Sequence, residues 1–209
     1  MPRIQGHPVP ALFPDAGPVS VMLFGEAPGP RGADQSGLPF WGDGAGITVY
    51  RALAATGRAE VPDAAWVDWD GARFKALGLA PRLLGTALSN AYPACPTKDG
   101  EHFHAPSNKD LLAPANLARL VSELTRASQG VTSPLRVIAF GKRAEWVLLR
   151  LEGAPPFELH ALPHPSAQGL LQAAPGKGKG LRLEDLRGDW MARLETLLCP
   201  DPDAPLDLR

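Results

Sequence analysis

Cysteine is scarce in this chain: Cys95 and Cys199 are the only two among 209 residues. Two thiols so far apart make neither a disulfide framework nor a four-cysteine cluster within one chain, and the pattern suits a reducing cytosol. An excess of one charge is also missing. Twenty-one Lys and Arg against 22 Asp and Glu leave a net charge of −1. No global basic field announces nucleic acid, so a DNA-binding surface must come from local asymmetry. No apolar run approaches the roughly 20 residues that span a bilayer. Residues 1–13 hold no apolar core of signal-peptide length. These absences lead us to expect a cytoplasmic monomer with no membrane partner.

Glycine and proline are abundant, 22 and 23 residues, and argue for many shaped turns. The length fits one domain over 1–209, with an irregular arm at 1–17 and a loose tail at 199–209. Four short apolar runs read as strands: Val19–Phe24, Thr86–Ala91, Arg136–Phe140 and Phe157–Leu162. Helical spacing appears from about Gly46 to Gly57, then at Leu111–Ala127, Lys142–Leu151 and Leu183–Leu198. Residues 58–82 are ambiguous, and 167–180 read as a Gly/Lys-rich loop. Strands alternating with helices predict an α/β fold with a mostly parallel four-stranded sheet covered on both faces. Ligands of such sheets sit outside the carboxyl ends of the strands.

Every candidate strand ends there in a loop of unusual composition. The first, Gly25 to Gly46, carries the acids Glu26 and Asp43 and the adjacent rings Phe40 and Trp41. An aromatic beside a carboxylate can stack a planar base near an acid. The bland alternatives are caps for the acids and core packing for the rings. Asn90 ends the second strand, and its amide can read a pyrimidine edge as donor and acceptor together. A turn asparagine is the plain alternative. His164 lies between Pro163 and Pro165, where a stiff backbone aims an imidazole at a developing negative charge. Beyond it, Leu170 and Leu171 with Lys177, Lys179 and Arg182 suit an apolar wedge flanked by phosphate contacts, or a solvated lysine loop. His102, His104 and Cys95 match no zinc spacing, so no metal is expected.

Taken in order, these stretches resemble the uracil-DNA glycosylase superfamily. Gly25-Glu26-Ala27-Pro28-Gly29, Gly37-Leu38-Pro39-Phe40-Trp41-Gly42 and Asp43-Gly44-Ala45-Gly46 resemble its first motif, most of all in the thermophile-type branches. Leu88-Ser89-Asn90-Ala91, Val137 to Gly141 and His164-Pro165-Ser166 resemble the later motifs. The resemblance implies a three-layer α/β/α domain that flips uracil, or a related deaminated base, out of DNA and cuts its N-glycosidic bond. It implies Glu26 or Asp43 as the acid that activates water, with Glu26 favoured. His164 would lie near uracil O2, Phe40 would stack on the base, and Asn90 would read its edge, with Ala27 and Ser166 as further substrate contacts. The thermophile-type branches carry an iron–sulfur cluster with a cysteine pair before the first strand. This chain has no cysteine there, so no cluster and no other cofactor is expected. Hypoxanthine, xanthine or 5-hydroxymethyluracil as the excised base, DNA binding without cleavage, and nucleotide hydrolysis by an α/β protein remain the alternatives.

Overall fold

The computed structural model describes residues 3–199, so residues 1–2 of the expected arm and 200–209 of the expected tail lie outside the described residues. In chain order the elements begin with β1 (Val21–Gly25), α1 (Ala33–Ser36), α2 (Gly46–Ala55), β2 (Ala59–Glu60), α3 (Asp63–Val67) and α4 (Gly71–Leu77). There follow β3 (Arg82–Leu83), β4 (Thr86–Asn90), α5 (Asn108–Leu111), α6 (Pro114–Ala127) and β5 (Leu135–Phe140). The last are α7 (Lys142–Leu148), β6 (Phe157–Leu162), α8 (Ala167–Ala173), a 3-10 turn at Pro175–Gly178 and α9 (Leu183–Leu198).

Four strands form a sheet in the order β4-β1-β5-β6, and every neighbouring pair is parallel. Alternate residues of β1 divide between the two faces. Val21 and Leu23 pack with Val49 and Leu53 of α2 and Trp190 and Leu194 of α9. Met22 and Phe24 pack with Leu120 and Leu124 of α6 and Val147 of α7. The fold is therefore the expected three-layer α/β/α sandwich. Burial on both faces explains why β1 reads as an unbroken apolar run rather than an alternating one. Each such side chain contributes about 1.5–3 kcal/mol on burial.

Two expectations need correction, and one stretch left open is resolved. The helix expected over 111–127 is two helices. Pro114 opens α6, and the residue before a proline is steered out of helical geometry, so Ala113 is extended at φ −56° and ψ 133°. The ambiguous stretch 58–82 forms the antiparallel β2–β3 pair with α3 and α4. The expected loop at 167–180 is mostly ordered. Ser166 Oγ accepts the Gly169 N–H at 3.1 Å and starts α8. Its Ala, Gln and Leu residues are good helix formers that the Gly/Lys composition further along concealed.

The arm is irregular, as its sequence suggests, yet it is pinned. Leu12 exchanges backbone hydrogen bonds with Leu88 at 2.8 and 2.9 Å. The buried carboxylate of Asp34 accepts the N–H groups of Gln5 and Gly6 at 2.8 and 2.9 Å. No helix of the described residues is long and apolar enough to cross a membrane.

Candidate active site

The parallel arrangement sends the ends of β1, β4, β5 and β6 to one edge of the sheet. At that edge Gly25 pairs in register with Asn90. The ring of Phe40 comes down over Gly25: a Cβ at Gly25 would stand 2.9 Å from the ring and 2.5 Å from Asn90 Oδ1. Only glycine allows the three to meet. Asn90 is 3% exposed, and its Nδ2 is buried without a hydrogen-bond partner. An orphaned buried donor is costly, on the order of 1–3 kcal/mol, and such groups persist where a ligand satisfies them. Phe40 itself sits at φ 60°, a left-handed conformation that few bulky residues adopt. The loop holds it there: Gly46 packs so tightly on the Phe40 carbonyl that a Cβ would overlap it, and Tyr50 Oη donates to Pro39 O at 3.0 Å. The Phe40 ring meets Phe140 edge-on at 5.6 Å, which leaves Phe40 fixed between β1 and β5. Trp41 is fully buried in a box of Tyr50, Trp69 and Phe74, so it belongs to the core.

The two acids differ in kind. Glu26 follows β1 directly and stands half-buried at the edge, with Ala27 half-buried beside it. Arg143 Nε lies 2.9 Å from Glu26 Oε1, but its N–H does not point along that line, so the contact is an ion pair rather than an aligned hydrogen bond. Burial holds the Glu26 carboxyl above the usual carboxylate range, and the Arg143 guanidinium works against that rise. Asp43 is half-buried as well, but its polar atoms are engaged within the loop. Its Oδ1 accepts the Gly46 N–H at 2.6 Å and its carbonyl accepts the Trp69 indole N–H at 2.9 Å. Burial raises its carboxyl too, offset by the N–H groups of Gly46 and Ala45. Asp43 Oδ1 thus ties the loop to the first residue of α2, whereas Glu26 stands directly at the end of β1.

His164 enters from the end of β6 and packs against Gly141 at the end of β5. Its Nδ1 accepts the Ser166 N–H at 3.2 Å, which places the proton of the neutral ring on Nε2. Burial lowers its pKa, so the ring is neutral at neutral pH. Glu26, Phe40, Asn90 and His164 therefore stand at one strand edge, the arrangement the sequence led us to expect. Ser166 serves that arrangement as the cap of α8 and the backbone donor to His164.

The expected DNA-binding residues are less uniform. Leu170 is 4% exposed inside α8 and joins the core, so it cannot be the tip of a wedge. Leu171 is half-buried and packs on Gly178. Lys177 and Lys179 are exposed. Arg182 is exposed but spends its fork on Asp185, with hydrogen bonds of 2.9 and 2.8 Å. Sequence reasoning missed two residues. Leu181, between Lys179 and Arg182, is 46% exposed and is the outward leucine of this segment. Its helix-breaking neighbours, Gly178 and Gly180, were the available signal. Arg143 lies in the stretch after the third strand that the sequence places at the same edge, but its pairing with Glu26 is set by the fold.

The residues present do not fit an iron–sulfur cluster, which takes four thiolates. The chain has two cysteines, and burial pushes the Cys95 thiol up to about 12. Among the described residues no group of three or more His, Cys, Asp and Glu could hold a metal ion.

A crossover sheet thus gathers a carboxylate, a neutral histidine, an aromatic ring and an unpaired amide at one edge. The model of the Uracil DNA glycosylase superfamily matches residues 13–186, and the chain belongs to that superfamily. It is accordingly a DNA glycosylase, a hydrolase of DNA repair that acts on DNA. No curated protein matches the chain.

Proposed function

We propose that the chain hydrolyses the N-glycosidic bond of uracil flipped out of DNA, leaving an abasic site, and that it works as a monomer without a cofactor. The observation that carries this reading is the buried, unpaired Asn90 Nδ2. An unused amide donor at the strand edge suits a keto oxygen on the base, which favours uracil over cytosine if Nδ2 is the atom that faces the 4-position. Phe40 stacks on the extruded ring. As the bond breaks, negative charge collects on the base and positive charge on the sugar. His164 donates its Nε2–H to the pyrimidine O2, and such a donor is typically worth about 3–4 kcal/mol. Glu26, as carboxylate, activates the water and offsets the sugar's charge. Extrusion costs a few kcal/mol, least at a mismatch. Leu181 fills the vacated stack, and Lys177 and Lys179 hold phosphates beside it.

Single-turnover excision from uracil-containing duplex tests the reading. Wild-type enzyme should release uracil, and Glu26→Gln should lower the rate on the order of 10²–10⁴-fold. Asp43→Asn should stay close to wild type once its folding is matched. No release at micromolar enzyme would sink the hydrolase reading, and a near-full rate for Glu26→Gln would move the base elsewhere. Hypoxanthine and xanthine also present a keto oxygen to Asn90, so oligonucleotides carrying each base in competition decide the range.

A further inference from the structure

Arg143 lies in the stretch that follows the third strand but was given no role from the sequence, yet its side chain joins two segments beside Glu26. It stands at the start of α7, just after the turn at Gly141 that follows β5. Its Nη2 donates to the carbonyl of Pro106, in the segment that links β4 to α5. Its Nε faces Glu26 Oε1 at 2.9 Å. Both side chains are partly exposed, 36% for Arg143 and 26% for Glu26, while Oε1 and Nε themselves are buried. One planar group thus spans from the Pro106 carbonyl to the acid, in contact with Oε1 and not with Oε2.

We infer that Arg143 is a positioning residue for Glu26, which ties the carboxylate to the Pro106 rim and fixes the direction in which Oε2 meets the attacking water. This rests on Glu26 as the water-activating acid. A guanidinium suits the task because its rigid fork can hold two acceptors at once, which a lysine ammonium does less well. It also acts on charge. DNA over the site removes more water from Glu26, and a desolvated carboxylate takes up a proton unless a cation stands beside it. The titratable groups near this edge are Asp43 on the first loop, Tyr92 after β4, Lys142, Arg143 and Glu145 on α7, and His164 after β6. Among the described residues, Arg143 is the one that forms an ion pair with Glu26.

The test compares wild type with Arg143→Lys and Arg143→Met in two measurements. One is single-turnover excision across pH. The other is a 13C titration of the Glu26 side-chain carboxyl, which needs no activity. The acid limb of the rate profile follows loss of the Glu26 proton. Arg143→Met should move both that limb and the titration to higher pH, by about one unit. It should also lower the plateau on the order of tenfold or more, through lost aim. Arg143→Lys keeps the charge, so its limb should stay near wild type while its plateau falls. A titration and profile unchanged in Arg143→Met overturn the inference, and so does an Arg143→Lys plateau equal to wild type. If the Glu26 titration shifts in Arg143→Met while Glu26→Gln excises at full rate, the ion pair stands and the catalytic reading of Glu26 is what fails.

Discussion

The first loop, Gly25–Gly46, and the segment from His164 to Arg182 both leave the carboxyl edge of the sheet, yet they are built in opposite ways. The first loop is tied at many points. Trp41 Nε1 donates to Leu79 O at 2.9 Å, Trp69 Nε1 to Asp43 O at 2.9 Å, and Ser36 Oγ to Trp41 O at 2.8 Å. Those bonds hold Phe40 in a backbone conformation it would not keep alone. The later segment is buried at its root, where His164 and Leu170 pack, and exposed at its tip. There Gly176, Lys177, Gly178 and Gly180 all take positive φ. Stacking and reading a base demand groups fixed before the substrate arrives. Gripping a duplex demands groups that follow a variable backbone. On the function proposed above, the many-tied loop is the one that would face the base, and the exposed tip the one that would face phosphates.

The sharpest way to break that comparison is to loosen the first loop. A Cβ at Gly46 would overlap the Phe40 carbonyl, whereas one at Gly44, two residues away, would meet nothing within 4 Å. Gly46→Ala should therefore lower stability by about 3 kcal/mol or more. Gly44→Ala should stay within about 0.5 kcal/mol of wild type. Urea melts of the two variants measure this. Equal costs at both positions would mean the loop is not held through the Phe40 carbonyl.

An effect of intermediate size is expected at the tip of the other segment. Leu181→Ala should lower kcat/KM on duplex substrate by about tenfold, equivalent to about 1.4 kcal/mol, and leave the urea midpoint nearly unchanged. On single-stranded substrate, where no stack has to be opened, the loss should shrink. If Leu171→Ala has the larger effect on duplex, the leucine nearer the root is the wedge after all.

The same contrast explains what could be read from the residues in order. Period and burial made the four strands and their convergence plain, because a strand buried on both faces has little choice but a continuous apolar run, as in Val21 to Phe24. The shared edge of Glu26, Phe40, Asn90 and His164 was legible because each sits directly at a strand end or in a loop of unusual composition. Leu170 was misplaced for a physical reason. Composition around 176–180 is that of a loop, and it hid a short helix whose start depends on one hydrogen bond, from the Gly169 N–H to Ser166 Oγ. Arg143 was placed at the right edge by the stretch after the third strand, but its partner was not legible, because an ion pair across 117 positions, from residue 26 to residue 143, leaves no local pattern.

The smallest expected effect tests where rigidity ends, at His164, the root of the exposed segment. Burial holds its imidazole below the ordinary histidine pKa, so the fold excludes the protonated ring. The unfolded chain meets no such barrier and takes up the proton at about pH 6.5. Above that pH both states are neutral and His164 adds no pH dependence. As pH falls through about 6.5, the unfolded state binds a proton that the folded state refuses, and stability drops. The drop levels off below the lowered folded value. His164→Gln should remove this component. The difference in urea midpoint between wild type and variant should therefore change between about pH 7.5 and about pH 5.5, with wild type losing more on acidification. A pH-independent difference would mean that His164 accepts its proton as freely folded as unfolded. In that case the ring would not be held in a water-poor setting, and the rigid part of the site would end at Gly141 instead of reaching across to β6.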